Sequence, residues 1–499
     1  MPDGWPFALS LLCNIALLIW AARLAEDQAE PSRVVLALAF SCVPNGLLWA
    51  FEPAGTWFAG DRRRAALVAC IPGLLFVSAG TSPLSDDLFR FVWDARVWFS
   101  TGDPYRYSPA APELAHLRDD IYSGINYPHI ATIYPPVAQV LFATSHALGG
   151  TLWGIKCVAF IAHLATVLLL ASPVTAGLCG SPISPSLHLR ISYAYACSPL
   201  ALAETALSGH MDGYVGLLLL MAAICLRVGH RYRMLLCLVA CTGIKVFGLL
   251  FAPFLWRRER HLCGLLLVAG GLLLWPLFGA GGSSGTAGLL NYAQRWQGNE
   301  GGFALVEAAV APCIRLFGQT GRNAALGSED MYFAPLQPLL AGLSDAGLDL
   351  RYRGRERGRP RPLAVFPVTY VTGLVARALV AASLLAFSFM LGGGAFNPRG
   401  MRLLVLGLLL LSPQVHPWYL LWVMPLELAQ GGTLTLVWST VVLASYAPLD
   451  AWVALRVWMP AAWVQWAQYG LVGFLLAVVF LRRFSSSVRC RVDRFLSPT

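Results

Sequence analysis

Charge is the scarcest commodity in this sequence. Only 12% of its 499 residues are Asp, Glu, Lys or Arg, about half the roughly 25% of soluble domains. Hydrophobic residues make up 57%, and the mean hydropathy is +0.61. That excludes a soluble multidomain enzyme, and an aromatic content of 12% excludes disorder as well. Lysine is almost missing: Lys156 and Lys245 are the only two. Neither lies in a basic run, so the net charge of +10 is not a nucleic-acid footprint. No CxxC pair occurs, and no His/Cys cluster has metal-ligand spacing. The twelve cysteines, with Cys237 and Cys241 one helical turn apart, read as small buried hydrophobes. No metal and no cofactor is expected, and no internal repeat stands out.

What the chain does have is long apolar runs. A membrane span takes about 20 apolar residues, and candidates run from Pro6–Leu24, a retained first span, through Val34–Phe51, Ala65–Gly80, Leu152–Ser172, Ile191–Leu207, Gly213–Leu226, Met234–Trp256 and Cys263–Ala280. After a polar interval, Val371–Leu391, Leu403–Leu411, Trp418–Leu428, Leu434–Tyr446 and Trp463–Leu481 follow. The expectation is an all-α polytopic membrane protein with roughly twelve to fourteen spans. It divides into N-terminal spans (1–80), a long polar loop with amphipathic helices (81–150), a transmembrane core (151–280), a polar region (281–367), C-terminal spans (368–482) and a basic tail (483–499). Arginines gather at the ends of apolar runs, at Arg62–Arg64, Arg227–Arg233, Arg257–Arg260 and Arg482–Arg494. Under the positive-inside rule the first and last of these are cytoplasmic, and the 81–150 loop faces outward from a bacterial-type plasma membrane. Basic residues at both ends of Met234–Trp256 require either a re-entrant pair broken near Gly243 and Lys245 or a mis-sided loop. The stretch Arg351–Arg361 falls outside by this count, against the rule.

The loop opens with Ser85-Asp86-Asp87-Leu88-Phe89-Arg90-Phe91-Val92-Trp93-Asp94-Ala95-Arg96, which reads as an amphipathic surface helix. Asp86, Arg90 and Asp94 follow at four-residue steps, so Arg90 can pair with either aspartate. Asp86 and Asp87 are adjacent like charges at a membrane boundary, and adjacent helical residues point about 100° apart, so only one can aim into a given site. Rigid turns follow: Gly102-Asp103-Pro104-Tyr105-Arg106-Tyr107, His116-Leu117-Arg118-Asp119-Asp120, Asn126-Tyr127-Pro128 and Thr132-Ile133-Tyr134-Pro135-Pro136. Their tyrosines suit sugar faces, and their arginines suit oxyanions.

The pattern D-D-x-x-R-F-x-W-D, the Pro-Tyr-x-Tyr turn and the Thr-Ile-Tyr-Pro-Pro segment resemble the GT-C superfamily of integral-membrane glycosyltransferases, in particular polyprenyl-phosphate-mannose-dependent mannosyltransferases. Ser198-Pro199 with Glu204 and Ser208-Gly209-His210-Met211-Asp212, then Gly243-Ile244-Lys245, then Ser412-Pro413 with His416-Pro417-Trp418-Tyr419 extend the likeness over most of the chain. Two spans more than the family's common layout precede the acidic loop. The resemblance implies a GT-C fold and an inverting transfer of a hexose, mannose foremost, from a polyprenyl-phosphate donor to a lipid- or protein-linked acceptor at the outer leaflet. It gives the general-base role to Asp86, with Asp87 as neighbour and understudy.

A lipid phosphate leaves without a proton, so such a reaction needs one carboxylate to activate the acceptor and cations to hold the departing phosphate. His416, Lys245, Arg90 and Arg118 are the candidates for the phosphate. Asp94, Tyr105, Tyr107, Tyr134, His210, Asp212, Trp418 and Tyr419 are candidates for the substrate. Each has a plainer alternative: Lys245 as a snorkelling lysine, His416 as an interfacial histidine, His210 and Asp212 as a polar turn. Lys156, near a span end, is expected to snorkel, and His163 to pack. Two other functions fit a polytopic chain: a transporter or flippase, for which intramembrane Lys and Asp would mark a pathway, and an oligosaccharide polymerase or ligase centred on the 281–367 region.

Overall fold

In a computed structural model, the structure describes residues 5–53, 62–179, 184–280, 297–316, 332–333, 353–356, 359–362, 366–394, 396–455, 461 and 463–478. The Arg482–Arg494 tail and most of the 281–367 region lie outside these. The described chain is helical except for two short antiparallel ladders, one of which pairs Arg353–Glu356 with Arg359–Pro362 inside the arginine-rich stretch.

The helices are α1 (Trp5–Glu26), α2 (Pro31–Ala50), α3 (Arg62–Ser78), α4 (Asp87–Thr101), α5 (Asp120–Ser123), α6 (Pro136–Ala147), α7 (Leu152–Leu170), α8 (Pro185–Ala196), α9 (Pro199–Leu202), α10 (Asp212–Arg227), α11 (Arg231–Thr242), α12 (Phe251–Trp256) and α13 (Arg260–Trp275). Beyond these, Gly302–Leu316, Val368–Gly394, Pro398–Leu411 and Leu434–Val441 bear on the core. Among the described residues six helices are long and apolar enough to cross a membrane: Trp5–Glu26, Pro31–Ala50, Leu152–Leu170, Arg260–Phe278, Val368–Gly394 and Leu434–Leu455. Their outer faces carry large apolar side chains in the open, Leu12, Leu36, Leu272 and Trp275 among them, as expected of helices solvated by lipid. The other apolar runs of the sequence are shorter or interrupted. Pro199 starts a new helix within Ile191–Leu207, and Gly243–Lys245 parts Met234–Trp256 into α11 and α12.

That last interruption is a hairpin. Its two basic ends meet, since Arg231 pairs with Glu259 at 3.4 Å, and Gly243–Lys245 forms the far tip. Of the two sequence alternatives, the broken pair is therefore the one observed. A cavity of about 420 Å³ lies at the arginine end, between Arg231, Arg258, Glu259, Phe396 and Asn397.

The acidic loop folds on the core through α4. Leu88, Phe91, Val92 and Ala95 recur at helical spacing and bury in the main core, while Trp93 and Val97 on the other face bury against Leu114 and Ile125. The Tyr134-Pro135-Pro136 segment starts α6, whose first free amides, Val137 and Ala138, both donate to the Gly243 carbonyl at 2.8 and 3.1 Å. Orphan N–H groups at a helix start need such an acceptor. The bond fastens the loop to the hairpin tip that carries Lys245.

Candidate functional site between the acidic loop and the late His-Pro-Trp-Tyr turn

Four stretches far apart in sequence meet at one end of the core. The first is the start of α4. The second follows α9, where residues Ala203–Leu207 widen into a π-turn, a feature frequent at functional sites. Gly209 then takes φ +66°, which a side chain would strain. The reversal lets the His210 amide donate to the Glu204 carbonyl at 2.8 Å and starts α10 at Asp212. The third stretch is the hairpin tip at Lys245. The fourth is the turn after Pro398–Leu411, where His416 precedes a short 3₁₀ segment, Pro417–Trp422.

His210 sits at the centre and is fully buried. Its Nδ1 lies 2.9 Å from Glu204 Oε2, and its Nε2 lies 3.6 Å from Asp87 Oδ2 and 3.4 Å from Ser85 Oγ. The Tyr446 hydroxyl donates to the other Glu204 oxygen. Trp418 stacks on His210 at 3.9 Å between centroids, and on its other face His416 stacks on Trp418 at 4.2 Å. Desolvation opposes charge on His210, but its bonds to Asp87 and Glu204 outweigh burial and raise it to about 9. Asp87 is correspondingly held below the usual carboxylate range: burial works against ionisation, and the His210 ring and the Lys245 charge overcome it. Burial pushes His416 down to about 3. It is therefore neutral at physiological pH, a correction to its expected role as a cation, with Gln414 Nε2 2.9 Å from its Nε2.

Lys245 Nζ lies 3.3 Å from Asp212 Oδ1, and the same oxygen accepts from Trp422 Nε1 at 2.6 Å. The rings of Tyr419, Trp422 and Tyr134 stand 5.2, 5.9 and 6.0 Å from the ammonium, within cation–π range. Asp87 and Lys245 keep 33% and 22% of their side chains accessible, while His210 and Glu204 keep 1% and none. Among the described residues no three His, Cys, Asp or Glu side chains could hold a metal ion.

The structure thus brings together Asp87, His210, Asp212, Lys245, Tyr134, His416, Trp418 and Tyr419. The two adjacent acids diverge: Asp87 enters the cluster, whereas Asp86 stands at the cap position of α4 and acts on Tyr127. Other expected site residues are engaged in the loop's own framework. Arg90 Nε holds Asp94 at 2.7 Å, and Asp94, itself buried, takes the Thr132 hydroxyl. The Tyr105 hydroxyl donates to the Tyr134 carbonyl at 3.0 Å, and Tyr107 packs beside Trp93 and Leu114. Arg118 donates to the Ala111 carbonyl at 2.8 Å and lies over the Tyr122 ring. These contacts place Arg118, expected at the donor phosphate, and Tyr107, expected at the substrate, within the loop's own framework.

Lys156 is a further correction. It does not snorkel but is wholly buried, donating to the carbonyls of Phe76 in the last turn of α3 and of Ala79 and Gly80 just beyond it. Sequence reasoning passed over Glu204 and Tyr446 as site members. A lone carboxylate within an apolar run was the available signal for Glu204; nothing local marks Tyr446. No family model, no curated protein and no solved structure matches this chain.

Proposed function

We propose that this chain is an inverting membrane glycosyltransferase of the GT-C class, with the fuller count of about twelve to fourteen spans supplied by its shorter and broken helices. It takes a hexose, mannose foremost, from a polyprenyl monophosphate. Asp87, the acid that enters the cluster, accepts the proton of the acceptor hydroxyl. The acceptor oxygen bonds to the anomeric carbon as the bond from that carbon to the phosphate oxygen breaks, and the electron pair leaves with the polyprenyl phosphate. Lys245 holds the departing phosphate by charge, with neutral His416 as a hydrogen-bond donor, and the aromatic faces of Tyr134, Trp418 and Tyr419 suit the sugar. Asp87 then returns its proton to water.

The observation that carries this reading is the convergence of a partly open carboxylate, Asp87, with a partly open ammonium caged in aromatic rings, Lys245. A base and a phosphate-holding cation are what the reaction requires. The arginines of 227–233 and 257–260 stand at the far ends of α10, α11 and α12 from this cluster. By the positive-inside rule that supports an outward-facing site, reached from the outer leaflet by the lipid donor and a lipid- or protein-linked acceptor.

The test supplies membranes holding the chain with polyprenyl-phosphate-mannose. Donor loss with release of polyprenyl phosphate is expected, reduced roughly 10²- to 10⁴-fold by Asp87→Asn. An Asp87→Asn variant with full turnover sinks the mechanism. Sugar or lipid flux across vesicles without donor loss would turn the reading to a transporter.

A further inference from the structure

The proposed reaction uses Asp87 and Lys245 but leaves a buried carboxylate unaccounted for. Glu204 is completely enclosed, and an uncompensated charge in such a place costs several kcal/mol. Its two oxygens are taken, one by the Tyr446 hydroxyl and the other by His210 Nδ1 at 2.9 Å. The opposite nitrogen of the same ring faces Asp87 at 3.6 Å. Ser85 Oγ stands 3.4 Å from that nitrogen as well, and an imidazole flanked by a carboxylate on each side presents an N–H toward both only when doubly protonated.

We propose that Glu204 is a positioning residue that acts through His210: lodged behind the ring, it fixes His210 as an imidazolium, and that fixed cation keeps Asp87 ionised and oriented toward the acceptor hydroxyl. The inference rests on the reading of Asp87 as the base for its catalytic meaning, but not for the charge of His210. No proton travels along the chain of groups during transfer.

The surroundings are consistent with that charge. The charged and titratable groups facing His210 are Glu204 and, behind it, Tyr446 from the late helices, Asp87 from α4, His416 from the late turn, and Lys245 with its partner Asp212 across the cluster. Lys245 pairs with Asp212, and the ring between Glu204 and Asp87 offsets one of their two negative charges, with Lys245 also acting on Asp87. Trp418 presents its face to both histidines, and a cation over an indole face is favourable. His210, with carboxylates at both nitrogens, takes the charge; His416, with an amide at one, stays neutral.

The experiment uses the full-length chain in detergent micelles with ¹⁵N-labelled histidine. The ring signals of His210 are assigned by their loss in His210→Gln and followed from pH 5 to pH 10. They are expected to hold the protonated position through neutral pH, and in Glu204→Gln to lose the proton at least one pH unit lower, a tenfold change in the protonation equilibrium. In parallel, the alkaline limb of donor consumption should move to lower pH in Glu204→Gln, with turnover retained below it. Unchanged titration of His210 overturns the proposal, and so does a turnover loss that is uniform across pH, which would mark Glu204 as packing only. Should Glu204→Gln not fold, Asp87→Asn decides: His210 stays protonated at neutral pH if Glu204 is its counter-charge and turns neutral if it is not. A wild-type chain that consumes no donor defeats the glycosyltransferase reading while leaving the ¹⁵N result to judge this one.

Discussion

The two lysines of the chain occupy opposite kinds of surroundings. Lys156 has no accessible surface, and its ammonium donates to the carbonyls of Phe76, Ala79 and Gly80. These close the end of α3, where a helix leaves acceptors without partners and the negative end of its dipole. Lys245 sits at a hairpin tip, paired with one carboxylate and ringed by aromatic faces. An ammonium has three N–H donors. Those of Lys156 all find backbone oxygens, whereas the rings around Lys245 attract its charge without taking up hydrogen bonds as a carbonyl does. The same side chain therefore serves as a helix cap in one place and stands as a partly accessible cation among aromatic faces in the other.

Methionine at each position breaks the comparison most directly. Lys245→Met is expected to lower donor consumption by roughly 10² to 10³, the scale for losing one preorganised charge contact to a leaving group. Its melting point in detergent should fall less than that of Lys156→Met, because Asp212 keeps the Trp422 N–H when the ammonium is gone. Lys156→Met should do the reverse. It strands the carbonyls at the end of α3, at a cost of about 2 kcal/mol, read as a lower melting temperature, while the folded fraction still turns over donor. Equal effects of the two substitutions on melting and on turnover would erase the distinction.

A pH series sharpens the contrast from the side of the site. His210 is raised to about 9 from an ordinary value near 6.5. The stability it contributes is therefore complete below about pH 6.5 and lost as pH rises through about 9. Asp87 is lowered, so its contribution is present above the ordinary carboxylate value and lost as pH falls past it. The melting temperature should decline between pH 7 and pH 10 in the parent and decline less in His210→Gln. A parallel decline in both would mean that His210 carries no charge to lose.

How far the sequence discloses these arrangements depends on how local their causes are. That Lys245 interrupts a helix is legible from the Gly243-Ile244-Lys245 step and the basic residues at both ends of the run. The amphipathic α4 is legible from its spacing, and so is the rule that only one of Asp86 and Asp87 can enter a site. The fate of Lys156 is not. Gly73 lacks a side chain, and a Cβ there would fall within 2.2 Å of the Phe160 ring. That close approach lays α3 on α7 and brings the end of α3 to Lys156, one turn from Phe160. The result depends on two helices meeting and leaves no mark near the lysine. The contacts of Arg118 and Tyr107 are hidden for a related reason: residue type suggests a ligand, while Tyr107 packs on the small core around Trp93 and Leu114 and Arg118 lies over the Tyr122 ring and on the Ala111 carbonyl.

The smallest expected effect separates the adjacent acids. Asp86 is at the cap position of α4 and makes no side-chain cap bond there. Its influence reaches Tyr127, whose hydroxyl burial pushes up first and the Asp86 charge second. Asp87, one residue on and about 100° around the helix, meets His210. Asp86→Asn should therefore change donor consumption by no more than roughly threefold, less than 1 kcal/mol of barrier, while Asp87→Asn removes most of it. Measured together on one membrane preparation, the two variants assign the base by the ratio of their rates, which is insensitive to how much protein each preparation holds once rates are normalised to folded chain. A loss at Asp86 as deep as that at Asp87 would mean that the pair acts as one unit, and the contacts around His210 would then orient the base without identifying it.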